Sequence, residues 1–210
     1  MNSDAFIWSF VATLFSMMNP IGNLGIFASM TETRSEKDSR KIAAICAVTI
    51  AITLLIINWA GKYFLFLFGI SIPTLQAAGG VIVLLIGLNM LFNKTDHKTS
   101  DDELADSKDR DSIAVVPLGI PLVAGPGTMA AVLLSASHAH TSLLKLEMSL
   151  VILSLSLFTG ILFSFAEPIS KFLGKSAMGV ITRVMGLVLA AIAMGLLSDG
   201  LKALFPILAS

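Results

Sequence analysis

The chain has 210 residues, 55% hydrophobic and 13% charged, with a mean hydropathy of +0.86. Such a composition excludes a water-soluble globular domain and places the chain among multi-spanning membrane proteins, with the lipid bilayer as its main surrounding partner. Fourteen basic residues balance fourteen acidic ones, so nothing supports a nucleic-acid partner. The lone cysteine, Cys46, excludes an internal disulfide and reads as a small apolar residue, buried or facing lipid.

Apolar segments of the length needed to cross a ~30 Å hydrocarbon core fall at 5–30, 42–61, 72–92, 113–136, 146–166 and 178–198. The expected fold is therefore an all-α membrane protein with six transmembrane helices. The first Lys or Arg is Arg34, after the first apolar run, so that run reads as a retained span and not as a cleaved leader. At 26 residues it is too long for a straight crossing, because at ~1.5 Å per residue it would measure ~39 Å. Pro20, within Asn19-Pro20-Ile21-Gly22-Asn23, marks where it breaks.

After span three, residues 93–112 are almost wholly polar and mixed in charge, which reads as a mobile linker, with His97 a solvated loop residue. Lys and Arg in the short loops set orientation. Ten cluster after span one, in this linker and after span five, against three (Lys62, Lys145 and Lys202) on the opposite side. The reading is N-out and C-out with a cytoplasmic linker, and Trp8, Trp59 and Tyr63 gather at the outer interface. The tracts Tyr63–Phe68 and Pro168–Leu173 either lie flat in the interface or extend neighbouring helices.

Span four repeats the peculiarity of span one. Val116 to Thr128 carries three prolines and three glycines in an otherwise apolar stretch, including Gly125-Pro126-Gly127-Thr128. Backbone groups freed within lipid are tolerated only where protein buries them or where they line a wet cavity. A shift of 106 residues overlays the halves: Pro20 falls on Pro126, Ser29 on Ser135, and the tract from Gly80 on that from Gly186. The organisation read from this is a first three-helix repeat (1–92), the linker (93–112) and a second repeat (113–210). Three spans per unit, an odd number, insert the second unit upside down, an arrangement common in secondary transporters. The half-helices beginning at Pro20 and Pro126 then point their N-termini at the midplane, where amides and helix dipoles favour a carboxylate. The carbonyls ending the preceding halves could take a cation or an ammonium.

No Asp, Glu, Lys or Arg sits at the centre of a span, which favours a solute without net charge, or ion coupling through backbone oxygens and Asn side chains. Arg183, six residues into span six, either snorkels to the inner interface or, beside Thr182, acts as a gate or carboxylate clamp. Asn19 and Asn23 suit capping of the second half-helix, a role compatible with binding a ligand. Asn58 and Asn89 read as ordinary interface residues, Gln76 as a minor pocket candidate, and Thr182, Gly186 and Ala190 as a helix-packing stripe. His138 and His140 read as exposed loop histidines. Motifs of zinc proteases, serine hydrolases, P-loop ATPases and potassium filters are absent, so the chain is not read as an enzyme or an ATP-driven pump.

With N-P-I-G-N in span one, V-V-P-L-G-I-P-L-V-A-G-P-G-T in span four and Val180 to Leu187 in span six, the chain resembles the MarC family over nearly its whole length. The resemblance implies a six-helix protein of the bacterial or archaeal inner membrane. It is similar to the wider LysE-type exporter group, of which a SnatA-like branch is linked to small neutral amino acids such as glycine and alanine. Family members often carry N-P-x-G-x-x-P in span one; here Gly25 and Ile26 follow Leu24 and the second proline is replaced. The expected function is a secondary transporter or exporter of small neutral solutes, by alternating access around a midplane site. The expected substrate-binding residues are Asn19, Pro20, Gly22, Asn23, Gly125, Pro126, Gly127, Thr128, Thr182 and Arg183. No cofactor or metal is expected, coupling to Na+ or H+ and the oligomeric state are left open, and an inorganic-ion transporter or a non-transporting scaffold are the alternatives.

Overall fold

The computed structural model describes residues 3–92 and 123–209. Residues 113–122 of the expected fourth span, and the expected linker with His97, lie outside the described residues. Among the described residues, five segments are long and apolar enough to cross a membrane: Ser3–Thr31 taken across its break, Glu36–Phe68, Ile72–Phe92, Ser142–Ser164 and Ser176–Leu204.

The first span is two helices, α1 (Ser3–Met18) and α2 (Pro20–Thr31), separated by Asn19. Helix α3 (Glu36–Phe68) starts on a Ser35 cap whose hydroxyl accepts from the Asp38 amide, and stops at Gly69 with φ 64°, a left-handed stop that glycine adopts without strain. Its 33 residues measure ~50 Å, so Tyr63–Phe68 extends the span and does not lie flat. Helix α4 (Ile72–Phe92) follows. After α5 (Pro126–His138) come α6 (Ser142–Ser164) on a Thr141 cap and α7 (Ala166–Leu204), with a 3₁₀ turn at Pro206–Ala209. At 13 residues α5 is ~20 Å long, too short to cross alone. Helix α7 bends at Gly174, where φ 73° and ψ 165° interrupt it and set Pro168–Leu173 apart from the span. On that outer turn Glu167 bonds Lys171 and holds its ammonium above the usual lysine range.

Two helix pairs flank the broken segments. In the first, α4 and α7 run antiparallel at backbone contact. A Cβ on Gly87 would meet the Gly186 carbonyl at 2.8 Å, and one on Gly80 would meet the Ala193 carbonyl at 3.0 Å. A Cβ on Gly200 would come within 2.6 Å of the Ala77 amide nitrogen. Lipid supplies no hydrophobic drive between helices, so close packing through small residues does the work. In the second pair, α3 crosses α6 where Gly160 sits against Ala47. Between the pairs, α2 packs on α7 and α6 while α5 packs on α4 and α3. Cys46, Ile50, Leu54, Met148 and Ile152 are fully buried at the centre, and Phe27 stacks on Phe163 at 4.6 Å between ring centroids. Leu85, Leu157, Val184 and Leu187 face outward, as a lipid-facing surface requires.

Asn58 is not the ordinary interface residue expected. It is 1% exposed, and its amide donates to the Lys145 carbonyl and to Ser149 Oγ, each at 3.0 Å. Trp59 Nε1 donates to the same Ser149 hydroxyl at 3.0 Å, with the Lys145 ammonium 5.8 Å from its ring centroid. This polar seam ties α3 to α6 at one end of their crossing, where the alternative to a partner is an unsatisfied amide in an apolar surround.

A side chain at 87 must displace the backbone of α7, so Gly87→Val is expected to cost at least the ~1–3 kcal/mol of ordinary overpacking. Gly195→Ala, with open space around its Cβ, is expected to stabilise by about 0.5–1 kcal/mol. Thermal unfolding in detergent measures both.

Candidate functional site

Pro20 lacks an amide proton and disfavours the helical region for the residue before it. Asn19 answers by taking the left-handed region, φ 46° and ψ 52°, the only non-glycine among the described residues to do so. Asn reaches that region more readily than other side chains. Its Oδ1 then folds back to accept from the Gly22 amide at 3.2 Å. Gly22 is required for this: a Cβ there would meet Asn19 Oδ1 at 2.6 Å and Nδ2 at 2.5 Å. Because Oδ1 is committed to the Gly22 N–H, Nδ2 faces the other way, 3.5 Å from the Met90 sulfur.

At the second break, Gly125 is extended (φ −68°, ψ 177°), as a residue before proline prefers, and Pro126 opens α5 where a missing amide proton costs nothing. Gly125 has no side chain to cap that first turn. The carbonyls released at the breaks are bonded by side chains. Thr128 Oγ1 reaches the Val123 carbonyl at 2.8 Å and the Met17 carbonyl at 3.3 Å, and Asn23 Nδ2 donates to the Met18 carbonyl at 3.0 Å. Thr128 thus joins one break to the other.

A cavity of about 190 Å³ lies against both breaks. Its polar wall is Asn19, Asn23, Asn89, Gly125, Gly127 and Thr128, and its apolar wall is Met17, Ile26, Val83, Ile86, Met90 and Leu189. No Asp, Glu, Lys, Arg or His is among these residues. Asn19, Asn23 and Thr128 are 2%, 4% and 3% exposed. Among the described residues Asn23 Oδ1 accepts no hydrogen bond, its amide being turned to Met18. Among the described lining residues Ile86 and Asn89 are exposed. Val132 is fully buried, and Met90, Ile192 and Leu196 pack on Met17, Val83, Ala131, Leu189 and Ala193.

Of the ten expected residues, Asn19, Asn23, Gly125, Gly127 and Thr128 come together on this cavity. Pro20 and Gly22, both buried, and Pro126, exposed, shape the breaks without lining it. Thr182 and Arg183 are not among the described residues that line the cavity. Thr182 Oγ1 donates to its own helix, at the Met178 carbonyl, and Arg183 is exposed. Gln76 does not line the cavity, whereas Asn89, expected to be an interface residue, does. The contributions of α4 and α7 were missed. A signal for them existed: Val83 and Leu189, like Asn19 and Gly125, are related by the shift of 106.

The left-handed cap separates two substitutions. Asn19→Gly keeps the backbone and loses the cap, a change of a few tenths of a kcal/mol, together with the Met90 contact. Asn19→Ala is expected to cost about 1–2 kcal/mol more, from the Cβ clash at positive φ. Thermal unfolding that ranks Ala no worse than Gly contradicts the geometry described.

The sequence matches the description "MarC family integral membrane protein" over residues 5–205. It is 39% identical over 212 residues to the UPF0056 membrane protein YvbG of Bacillus subtilis, covering 98% of this chain and 99% of that one. Identity to the UPF0056 membrane protein YhcE of Escherichia coli is 32% over 200 residues, covering 95% and 93% of the two chains. To a UPF0056 membrane protein of the archaeon Archaeoglobus fulgidus it is 34% over 200 residues, covering 94% and 92%. No solved structure matches the chain. Matched almost from end to end, this multi-pass membrane protein belongs to the MarC family.

Proposed function

We propose that the protein is a secondary transporter or exporter of small neutral solutes, foremost small neutral amino acids such as glycine and alanine. In this reading it resides in the inner membrane with both termini outside, and it is similar to the LysE-type and SnatA-like exporters. The observation that carries the reading is the cavity between the two breaks, whose described lining carries no charged side chain. A zwitterion needs donors for its carboxylate and an acceptor for its ammonium. Asn19 Nδ2 and the uncapped first turn of α5 supply donors on one wall, and Asn23 Oδ1 supplies an acceptor. At about 190 Å³ the space is below the ~300–1,000 Å³ of drug-sized pockets, which favours a small side chain. An inorganic cation fits less well, because the Met18 carbonyl already accepts from Asn23 Nδ2 and the Val123 carbonyl from the Thr128 hydroxyl.

Two inverted three-helix repeats, 1–92 and 113–210, joined through 93–112, complete the reading. Contacts between α4 and α7 support it, since the shift of 106 exchanges the Gly80–Ala193 approach with the Gly87–Gly186 approach. The same shift carries Ile86, exposed, onto Ile192, half-buried, and Ile26, half-buried, onto Val132, fully buried. Exchanging the roles of the halves gives the second state that alternating access needs.

Proteoliposomes loaded with labelled alanine test the function: saturable flux is expected, with Asn19→Leu or Gly127→Leu reducing it at least tenfold. Equal flux in variant and parent protein, or none in the parent for any small neutral amino acid, rules the reading out. Alternating access is tested separately with single cysteines at Ile86 and Leu196 in a Cys46→Ala background. Each is expected to react with impermeant maleimide from its own face, in proportions that alanine shifts, and a Leu196 position inert under all conditions contradicts alternation.

A further inference from the structure

Asn19 has two donor protons on Nδ2 and gives the group to a thioether, among the weakest acceptors a protein offers. Two independent features hold it there. The Oδ1 cap on Gly22 fixes which atom faces the cavity, and the missing Cβ of Gly22 leaves room for the side chain to fold back. A buried amide so firmly aimed at so poor a partner is arranged for a better acceptor. Met90 is suited to yielding, being unbranched with three rotatable bonds. It stands near the end of α4, in the wall adjoining the exposed residues Ile86 and Asn89.

We propose that the Met90 sulfur is a placeholder for a carboxylate oxygen of the ligand. It occupies Asn19 Nδ2 while the cavity is vacant and is displaced when an amino acid binds, so that Met90 sets affinity by competition. This rests on the small-amino-acid reading of the cavity. The exchange replaces N–H···S with a charge-assisted N–H···O⁻ bond, roughly twice the strength of a neutral one. No covalent step is involved.

The contact is tested first without ligand. A double-mutant cycle of Met90→Leu and Asn19→Gly on the unfolding of purified protein in detergent is expected to give non-additive losses, because leucine keeps the bulk and lacks the acceptor. Calorimetric titration with L-alanine follows. Met90→Leu is expected to tighten binding about two- to threefold, the low end for a net hydrogen bond because a thioether is a weak acceptor. In an Asn19→Gly background the same substitution is expected to change affinity less than twofold. Additive unfolding losses overturn the placeholder. So does tighter binding of equal size in both backgrounds, or unchanged or weaker binding in Met90→Leu alone. If the unfolding losses couple while no variant binds alanine or another small neutral amino acid, the transport reading falls and the ligand half of this proposal with it, leaving only the Asn19–Met90 contact.

Discussion

A helix interrupted inside a bilayer exposes amides and carbonyls to a medium that cannot hydrogen-bond them, and each one left unsatisfied costs several kcal/mol. This protein has two such interruptions, and much of its interior answers them. Asn19 caps α2, Asn23 and Thr128 take the carbonyls released at Met17, Met18 and Val123, and Thr128 draws the two breaks into contact. The polar lining of the cavity is made largely of the groups that satisfy this requirement. Binding capacity and structural necessity therefore share residues, so a substitution at Asn19 or Thr128 touches both.

Holding the breaks together requires a rigid frame around them. The α4–α7 pair supplies it through glycines that bring the two backbones into contact, and the α3–α6 pair through the Gly160–Ala47 approach and the Asn58–Ser149 seam. Both devices suit lipid, where dispersion and hydrogen bonds replace the hydrophobic effect as the force between helices. Within this framework Ile86 and Asn89 are exposed while Val132 is fully buried and Ile192 half-buried. The proposed alternating access draws on this difference in packing between positions that the shift of 106 relates.

Much of this was legible in the sequence. Apolar run lengths located five spans among the described residues, and a proline behind Asn19 and another behind Gly125 marked the starts of α2 and α5, because the backbone consequence of proline is local and independent of neighbours. Of the residues near the prolines, Asn19, Asn23, Gly125, Gly127 and Thr128 line one cavity. Arg183 and Thr182 were grouped with the site from sequence, but Arg183 is exposed and the Thr182 hydroxyl bonds its own helix at Met178, contacts that depend on helix rotation and not on composition. Asn58 and Asn89 looked alike, each a polar residue near a span end. One proved to be a buried strut and the other a cavity wall, since the difference lies in the partner helix.

The sequence by itself determined what local chemistry dictates: membrane residence, the helical spans, the two interruptions and a core free of formal charge. Only the tertiary structure decided which atoms of Asn19 and Asn23 point at the cavity, and that Val83, Met90 and Leu189 complete its wall. Those outcomes depend on interhelical register and on competition among donors and acceptors far apart in the chain. A left-handed Asn19 and a missing Cβ at Gly22 acquire their meaning only once Met90, 71 residues away, arrives at their side.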